Sequence, residues 1–330
     1  MIISKTPLRI SFFSGGSDLP SFYTKKSGAA LSVTIDKYIY VMVHGKPQAS
    51  NFVTAFDTIE DFQNLDGMTH DITRETLKHF NIETPLHVTS VSDIPSRGSG
   101  LGSSSAFTVG LINCIQETTD KKKLAELACV IEMERCGYPI GKQDQYAAST
   151  GGINLFGFTK SEVTNTPLNI NHETLQTLQD NLILVYSGIG RSANMILSAQ
   201  SKLMDDEVKF NLVLNGRNKA ITAADMLIKG DVDSFGDLLH LAWIDKKQIT
   251  KEISNSKIDH IYTTAINNGA IGGKVLGAGG GGFLLFYCPK QDQEKVISSL
   301  MSETECRVYD FKFTSEGSKI IYTEEQKING

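Results

Sequence analysis

Pro95-Ser96-Arg97-Gly98-Ser99-Gly100-Leu101-Gly102-Ser103-Ser104-Ser105-Ala106 stands between a strand-like run, Leu86–Val91, and an apolar helix-like run, Ala106–Ile115. Glycines let a backbone approach a ligand closely and take up positive φ. The free N–H groups at the start of the following helix then face that ligand, and the helix dipole favours an anion there. Serine hydroxyls add caps and a possible metal ligand. The segment therefore reads as a phosphate cradle. A flexible tether has a similar composition, but the run that follows is too apolar to hang from one. The order of residues is not Gly-x-x-x-x-Gly-Lys-Ser/Thr, so the common P-loop is excluded.

The bulk properties of the 330-residue chain are compatible with two domains and a proper core, with 40% apolar residues and a net charge of −5. That charge argues against a general nucleic-acid binder, and no basic run exceeds Lys121–Lys123. Cys114, Cys129, Cys136, Cys288 and Cys306 form no C-x-x-C pair, so neither a zinc site nor a disulfide framework is indicated. Residues 1–20 carry charges throughout and lack a long apolar stretch, and no segment approaches a membrane span. A cytoplasmic protein with no nucleic-acid or membrane partner is the expectation; its oligomeric state is left open.

Strand signals dominate the start, at Leu8–Phe13 and Ala30–Val43, with Gly15-Gly16-Ser17-Asp18 as punctuation. Residues 69–80 read as a helix, and so does Lys122–Cys136, with Leu124, Leu127, Ala128 and Ile131 on one stripe. Leu182–Tyr186 reads as a buried strand. Residues 195–267 look almost wholly helical, through Met195–Val208, Val213–Lys229, Phe235–Ile253 and Ile258–Asn267. A strand (Phe283–Cys288), a helix (Asp292–Met301) and two strands (Arg307–Phe313, Lys319–Tyr322) complete the chain. The change of texture divides it into residues 1–190 and 191–330.

A second glycine run, Gly277-Ala278-Gly279-Gly280-Gly281-Gly282, matches G-x-G-x-x-G. A dinucleotide fingerprint needs a strand before it and a helix after it. Here a helix precedes and a strand follows. Consecutive small residues instead let two chain segments pass closely, so this run can support the first loop from across a cleft.

Two further segments carry polar chemistry. Thr6-Pro-Leu-Arg9-Ile-Ser-Phe-Phe-Ser-Gly-Gly-Ser-Asp18 places an arginine in an apolar strand, nine residues before an aspartate. Gly141-Lys142-Gln143-Asp144-Gln145-Tyr-Ala-Ala148 follows a broken helix. A capped helix start would explain its Lys142 and Asp144 equally well. Upstream, Glu132 and Glu134 both lie near the apolar stripe, on opposite edges at 100° per residue, and helix geometry does not choose between them.

Together these segments resemble the motifs of the GHMP kinases, with the likeness closest to the D-glycero-D-manno-heptose 7-phosphate kinase branch of the sugar-1-kinases. Lys274–Phe283 resembles that family's third motif, and Leu239–Trp243 adds to the likeness. The resemblance implies an α/β (α+β) fold of two domains, the first like domain 2 of ribosomal protein S5 and the second ferredoxin-like, with the last strand able to return to the first sheet. It implies ATP and Mg²⁺ as cofactors and a small-molecule sugar phosphate as partner. By the same resemblance Asp144 and Arg9 are catalytic. Pro95, Arg97, Gly98, Ser99, Gly100, Leu101, Gly102, Ser103, Ser104 and Ser105 bind ATP. Ser104 and Glu132 hold the metal, the family spacing favouring Glu132 over Glu134. Gly15, Gly16, Ser17, Asp18, Lys142, Gly279 and Gly280 line the sugar site.

Galactokinases carry Glu-His where this chain has Gly15-Gly16, which puts galactose in doubt and opens space for a larger or phosphorylated sugar. Such a sugar needs a cationic clamp, for which Lys142, Arg191 and Lys246 are candidates. An L-fucose 1-kinase and a catalytically silent sugar and ATP sensor are the alternative readings.

Overall fold

The computed structural model describes residues 1–13, 15–45, 50–95, 98–190 and 193–324. The strands are β1 (Ile2–Phe13), β2 (Gly28–Gly45), β3 (Phe52–Ala55), β4 (Ile59–Phe62), β5 (Leu86–Ser92), β6 (Ile153–Phe158), β7 (Val163–Pro167), β8 (Leu182–Tyr186), β9 (Gly272–Val275), β10 (Phe283–Tyr287), β11 (Arg307–Tyr309) and β12 (Lys319–Thr323). The α-helices are α1 (Pro20–Tyr23), α2 (Asp71–His79), α3 (Ser103–Gln116), α4 (Lys121–Cys129), α5 (Gln143–Thr150), α6 (His172–Asp180), α7 (Ala193–Lys202), α8 (Glu207–Lys229), α9 (Phe235–Lys247), α10 (Ser256–Asn268) and α11 (Gln293–Glu303).

Among the described residues the first sheet runs β12-β1-β2-β5-β3-β4, and β2 also carries the β6–β7 hairpin. Its pairings are antiparallel except β3 with β5. The second sheet, β11-β8-β10-β9, is antiparallel. Strand, helices, two strands, helix and strand, ordered fourth-first-third-second, make it ferredoxin-like. Strand β8 precedes the expected division at residue 190 yet belongs to the second sheet, whereas β12 follows it and closes the first. The sheets therefore do not part the chain at one point.

Helix α3 is the axle of the first domain. All its residues except Ser104 and Gln116 are buried, as expected of a helix that is apolar all round. Gly110 lets it lie on the sheet: a Cβ there would come within 2.9 Å of Ser4 Oγ and 3.0 Å of Thr6 Oγ1. Strand β1 breaks register with β2 between Pro7 and Leu8. Proline has no N–H for the ladder, so an irregularity is tolerated there. Just beyond it, the Arg9 N–H donates to the Leu101 carbonyl at 3.0 Å, which ties β1 to the glycine–serine loop.

Several expected elements differ in extent. The helix expected over Lys122–Cys136 changes to a π-helical turn at Val130–Arg135, which shifts the angular positions of its side chains. The helix expected over Phe235–Ile253 ends at Lys247, and that over Met195–Val208 ends at Lys202, with α8 starting anew behind the Asp206 cap. Helix α8 stops at Gly230, whose φ of 82° suits glycine. The sequence pattern does not predict the β3–β4 and β6–β7 hairpins or strand β9. The hairpin strands are short, and β7 is polar and mostly exposed, so neither hairpin gives a clear apolar alternation. With β9 in place a strand, not a helix, directly precedes residues 277–282; the dinucleotide fingerprint is still excluded, because β10 and not a helix follows.

Candidate active site

A cavity of about 340 Å³ opens between the glycine–serine loop, the β1 end and the helices α7 and α9. On one wall Gly98, Gly100 and Gly102 have φ of 65°, 80° and 78°, values that side chains rarely adopt. Gly102 is the N-cap of α3 and supplies no side-chain cap, so the first N–H groups of a long helix remain open toward the cavity. Ser103, Ser104 and Ser105 line it. The Ser99 and Ser103 hydroxyls pair at 2.8 Å and brace the loop. This is the chemistry of an anion cradle.

The Arg9–Asp144 pair stands against that cradle. Arg9 Nε and Nη2 donate to the two carboxylate oxygens of Asp144 at 2.8 and 2.7 Å, and Nη1 donates to the Gly100 carbonyl at 2.7 Å. Arg9 is 5% exposed and Asp144 29%, so the carboxylate, not the guanidinium, is the partner open to the cavity. A Cβ on Gly102 would lie 3.4 Å from both Arg9 Cγ and Asp144 Oδ2.

Glu132 is fully buried beside the helix start. Its oxygens accept from Ser104 Oγ at 2.7 Å and Gln145 Nε2 at 2.6 Å. Burial pushes its carboxyl above the usual range, and the hydrogen bonds from serines and Gln145 only partly oppose this. No lysine, arginine or histidine forms an ion pair with it among the described residues. Glu134 is exposed. The π-turn carries Glu132 inward and leaves Glu134 outside, a difference that the α-helical angle did not predict.

Beside Asp144 lies Asp18, whose oxygens accept from the Gly16 and Gln143 N–H groups at 3.2 and 3.3 Å. Burial and then the neighbouring Asp144 charge raise its carboxyl. Gly141 has to be glycine, because a Cβ there would fall 1.9 Å from Asp18 Oδ2. Gln143 accepts from Ser11 Oγ at 3.2 Å, while its Nε2 has no partner among the described residues. Lys274 is buried and donates to the Ser11 and Phe12 carbonyls at 2.8 and 2.9 Å. Burial, then the charges of Lys246 and Arg9, hold its ammonium well below the usual lysine range.

Of the expected site residues, Arg9, Gly15, Gly16, Asp18, Gly98, Ser99, Gly100, Gly102, Ser103, Ser104, Ser105, Glu132 and Asp144 line the cavity. Others do not. Leu101 is wholly buried and contributes its carbonyl to Arg9, and Pro95 is exposed outside the cavity. Ser17 is buried and donates to the Ala29 carbonyl at 2.8 Å. The Lys142 ammonium lies 5.3 Å over the Tyr23 ring rather than in the cavity. Gly279 and Gly280 pack on Ile253, and their neighbours Gly277 and Ala278 line the cavity instead. Arg97 and Arg191 lie outside the described residues.

Sequence reading missed Ser11, Tyr138, Gln143, Asn194, Leu197 and Gln200, all of which line the cavity. Gln143 sits inside a quoted motif, where an unexplained polar residue beside Asp144 was a usable signal. Asn194, Leu197 and Gln200 had none, since α7 reaches the cavity only through the path of the chain.

Comparison with known proteins agrees with this geometry. Residues 68–152 match the GHMP kinases N terminal domain and residues 223–304 the GHMP kinases C terminal domain. The chain is 32% identical to D-glycero-alpha-D-manno-heptose 7-phosphate kinase of Campylobacter jejuni, over 96% of this chain and 98% of that one. It superposes on a putative sugar kinase from Campylobacter jejuni with a TM-score of 0.76 and 30% identity, over 97% of both chains. A D-glycero-D-manno-heptose 1-phosphate kinase from Bacteroides thetaiotaomicron shares the fold with a TM-score of 0.79 at 24% identity, over 98% of this chain and 100% of that one.

Proposed function

We propose, on the premise that this chain belongs to the GHMP kinases, that it transfers the γ-phosphoryl group of ATP to the anomeric hydroxyl of D-glycero-D-manno-heptose 7-phosphate. The chain is a phosphotransferase with an alcohol group as acceptor. The observation that carries the finer reading is the Arg9–Asp144 pair, set against the open start of α3 and sharing one cavity with the Gly15–Asp18 turn.

Phosphoryl transfer needs a held triphosphate, neutralised charge and an oriented hydroxyl. The α3 N–H groups and the three positive-φ glycines fit the first need. The Ser104 hydroxyl and the buried Glu132 carboxylate, which has no cationic partner among the described residues, fit Mg²⁺, a hard cation that prefers oxygen. When bound, that ion supplies the charge neutralisation on the phosphates.

The acceptor hydroxyl is taken by Asp144. Each carboxylate oxygen has two acceptor sites, so the bonds from Arg9 leave capacity for the substrate O–H. As the new P–O bond forms and the bond from the γ-phosphorus to the bridging oxygen breaks, ADP leaves, the hydroxyl proton moves to an Asp144 oxygen, and Arg9 keeps the carboxylate aligned. Leu19, Ile140, Leu197 and Ala278 give the cavity an apolar lining that disfavours a competing water. Asp18, Gln143 and Ser11 offer the hydrogen bonds that orient sugar hydroxyls.

The test is an ADP-release assay over a panel of sugars and sugar phosphates, with the phosphorylated position read by NMR. Heptose 7-phosphate is expected to show at least about tenfold higher kcat/KM than mannose, galactose or fucose, equivalent to ~1.4 kcal/mol of differential transition-state binding. Equal or better turnover of a free sugar would overturn the heptose assignment and leave the kinase.

A further inference from the structure

We propose that Lys246 is the anion subsite for a phosphate carried by the acceptor sugar itself, separate from the cradle at α3. The inference rests on the kinase reading above and adds the residue that selects a phosphorylated substrate over a free sugar.

Among the described residues lining the cavity, the cationic side chains are Arg9 and Lys246. Arg9 is engaged by both oxygens of Asp144 and by the Gly100 carbonyl, which commits it to the reaction centre. Lys246 comes from the last turn of α9 and is 8% exposed. Its Nζ donates to the Gly277 carbonyl and stands 3.5 Å from the point where a Cβ on Gly15 would be. The lack of a side chain at Gly15 therefore leaves room beside the ammonium.

The glycine pair is fixed in that place. Gln200 is 1% exposed and donates to the Gly15 carbonyl at 3.2 Å, and a Cβ on Gly16 would lie 1.8 Å from Gln200 Nε2. Gly16 has φ of 103°, so glycine is required there twice over. The turn consequently lies flat across Lys246 and Gln200. Behind it the buried Lys274 donates, among the described residues, to the Ser11 and Phe12 carbonyls, and burial, then Lys246 and Arg9, hold its ammonium well below the usual lysine range. Lys246 supplies the ammonium beside this turn; Asp18, in the same turn, accepts from the Gly16 N–H, and Glu132 and Asp144 are the further acidic groups of the lining. A phosphomonoester dianion is the ligand whose charge and hydrogen-bonding capacity match a buried ammonium that lines the cavity.

Lys246 also holds the Gly277 carbonyl, so a merely structural role has to be separable. Kinetics of Lys246→Met and Lys246→Arg with heptose 7-phosphate and with mannose separate it. The ratio of kcat/KM for the phosphorylated over the free sugar is expected to fall at least about tenfold in Lys246→Met and to recover largely in Lys246→Arg. Inorganic phosphate is expected to compete with the sugar substrate in the wild type and to lose that competition in Lys246→Met. A ratio within about threefold of wild type, meaning both sugars suffer alike, would overturn the subsite. If heptose 7-phosphate proves not to be the substrate, phosphate competition against whichever sugar is used still decides the matter. Should Lys246→Met not fold, Lys246→Gln keeps a donor for the Gly277 carbonyl and removes the charge, and an unchanged ratio in that variant would overturn the proposal equally.

Discussion

Two glycine-rich segments of similar composition, residues 98–105 and 277–282, meet in this molecule and do different work. In the first, positive-φ glycines run into α3, and the open N–H groups of a helix face the cavity. In the second, the run leads into β10, and the missing side chains are replaced by other parts of the chain. A Cβ on Gly282 would lie 2.4 Å from the carbonyl oxygens of both Gly98 and Ser99, one on Gly279 2.8 Å from that of Ile253, and one on Gly281 2.6 Å from that of Ile189. The Phe283 N–H then donates to the Ser99 carbonyl at 2.9 Å. One segment is a cradle and the other a strap that holds it. The element that follows decides which, because a helix start leaves donors over and a strand uses them.

The contrast is broken most strongly on the cradle side. Asp144→Asn is expected to fold, bind ATP and lose turnover by about 10²–10⁴-fold in steady-state kinetics, since it removes the proton acceptor and leaves the amide facing Arg9. Turnover within about threefold of wild type would remove Asp144 from the mechanism. Gly102→Val comes next. Its φ of 78° and a Cβ 3.4 Å from Arg9 and Asp144 leave no room for a branched side chain. Calorimetry should show ATP affinity reduced by about tenfold or more, ~1.4 kcal/mol, with sugar-phosphate affinity much less affected.

Gly282→Ala tests the strap. Forcing a methyl group onto two carbonyls should cost about 1–3 kcal/mol of stability in denaturant titration and weaken ATP binding as the loop shifts. Gly190→Ala, whose Cβ would meet nothing within 4 Å, is the matched control and should stay within about 0.5 kcal/mol.

The smallest effect has the opposite sign. The cradle wall contains the buried Glu132, whereas residues 277–282 contain no ionisable group. Burial raises the Glu132 carboxyl above its ordinary 4.5, so the folded protein binds more protons than the unfolded chain just above that pH. Its favourable contribution is present below pH 4.5 and is lost as pH rises through the folded value. Without Mg²⁺, Glu132→Gln should therefore melt a few degrees higher at neutral pH, where about 1 kcal/mol corresponds to roughly 2–4 °C, and the gain should vanish in acid. A lower Tm at neutral pH would show that the ionised carboxylate stabilises the fold.

Much of this site could be read before any coordinates. Positive φ at Gly98, Gly100 and Gly102 and the helix start behind them follow from local chemistry, and so does rejection of the dinucleotide fingerprint at residues 277–282. Glu132 was legible only through the family spacing, because the π-turn breaks the α-helical angle on which periodicity depends. Lys142 read as a substrate residue because a phosphorylated sugar needs a cation, yet it projects over Tyr23, since adjacent residues at a helix start point in different directions.

By itself the sequence determined the features that a few neighbouring residues control: a glycine–serine loop ahead of a helix start, and the second run's need for small residues. Only the tertiary structure decided that Arg9 pairs with Asp144, that Lys246 stands by Gly15, that Gln200 pins Gly16 and that Gly282 backs Ser99, whereas the return of β12 to the first sheet was already implied by the family resemblance. Each of those contacts joins segments far apart in the chain. Their geometry is set by how helices and sheets pack, and no local pattern of residues encodes it.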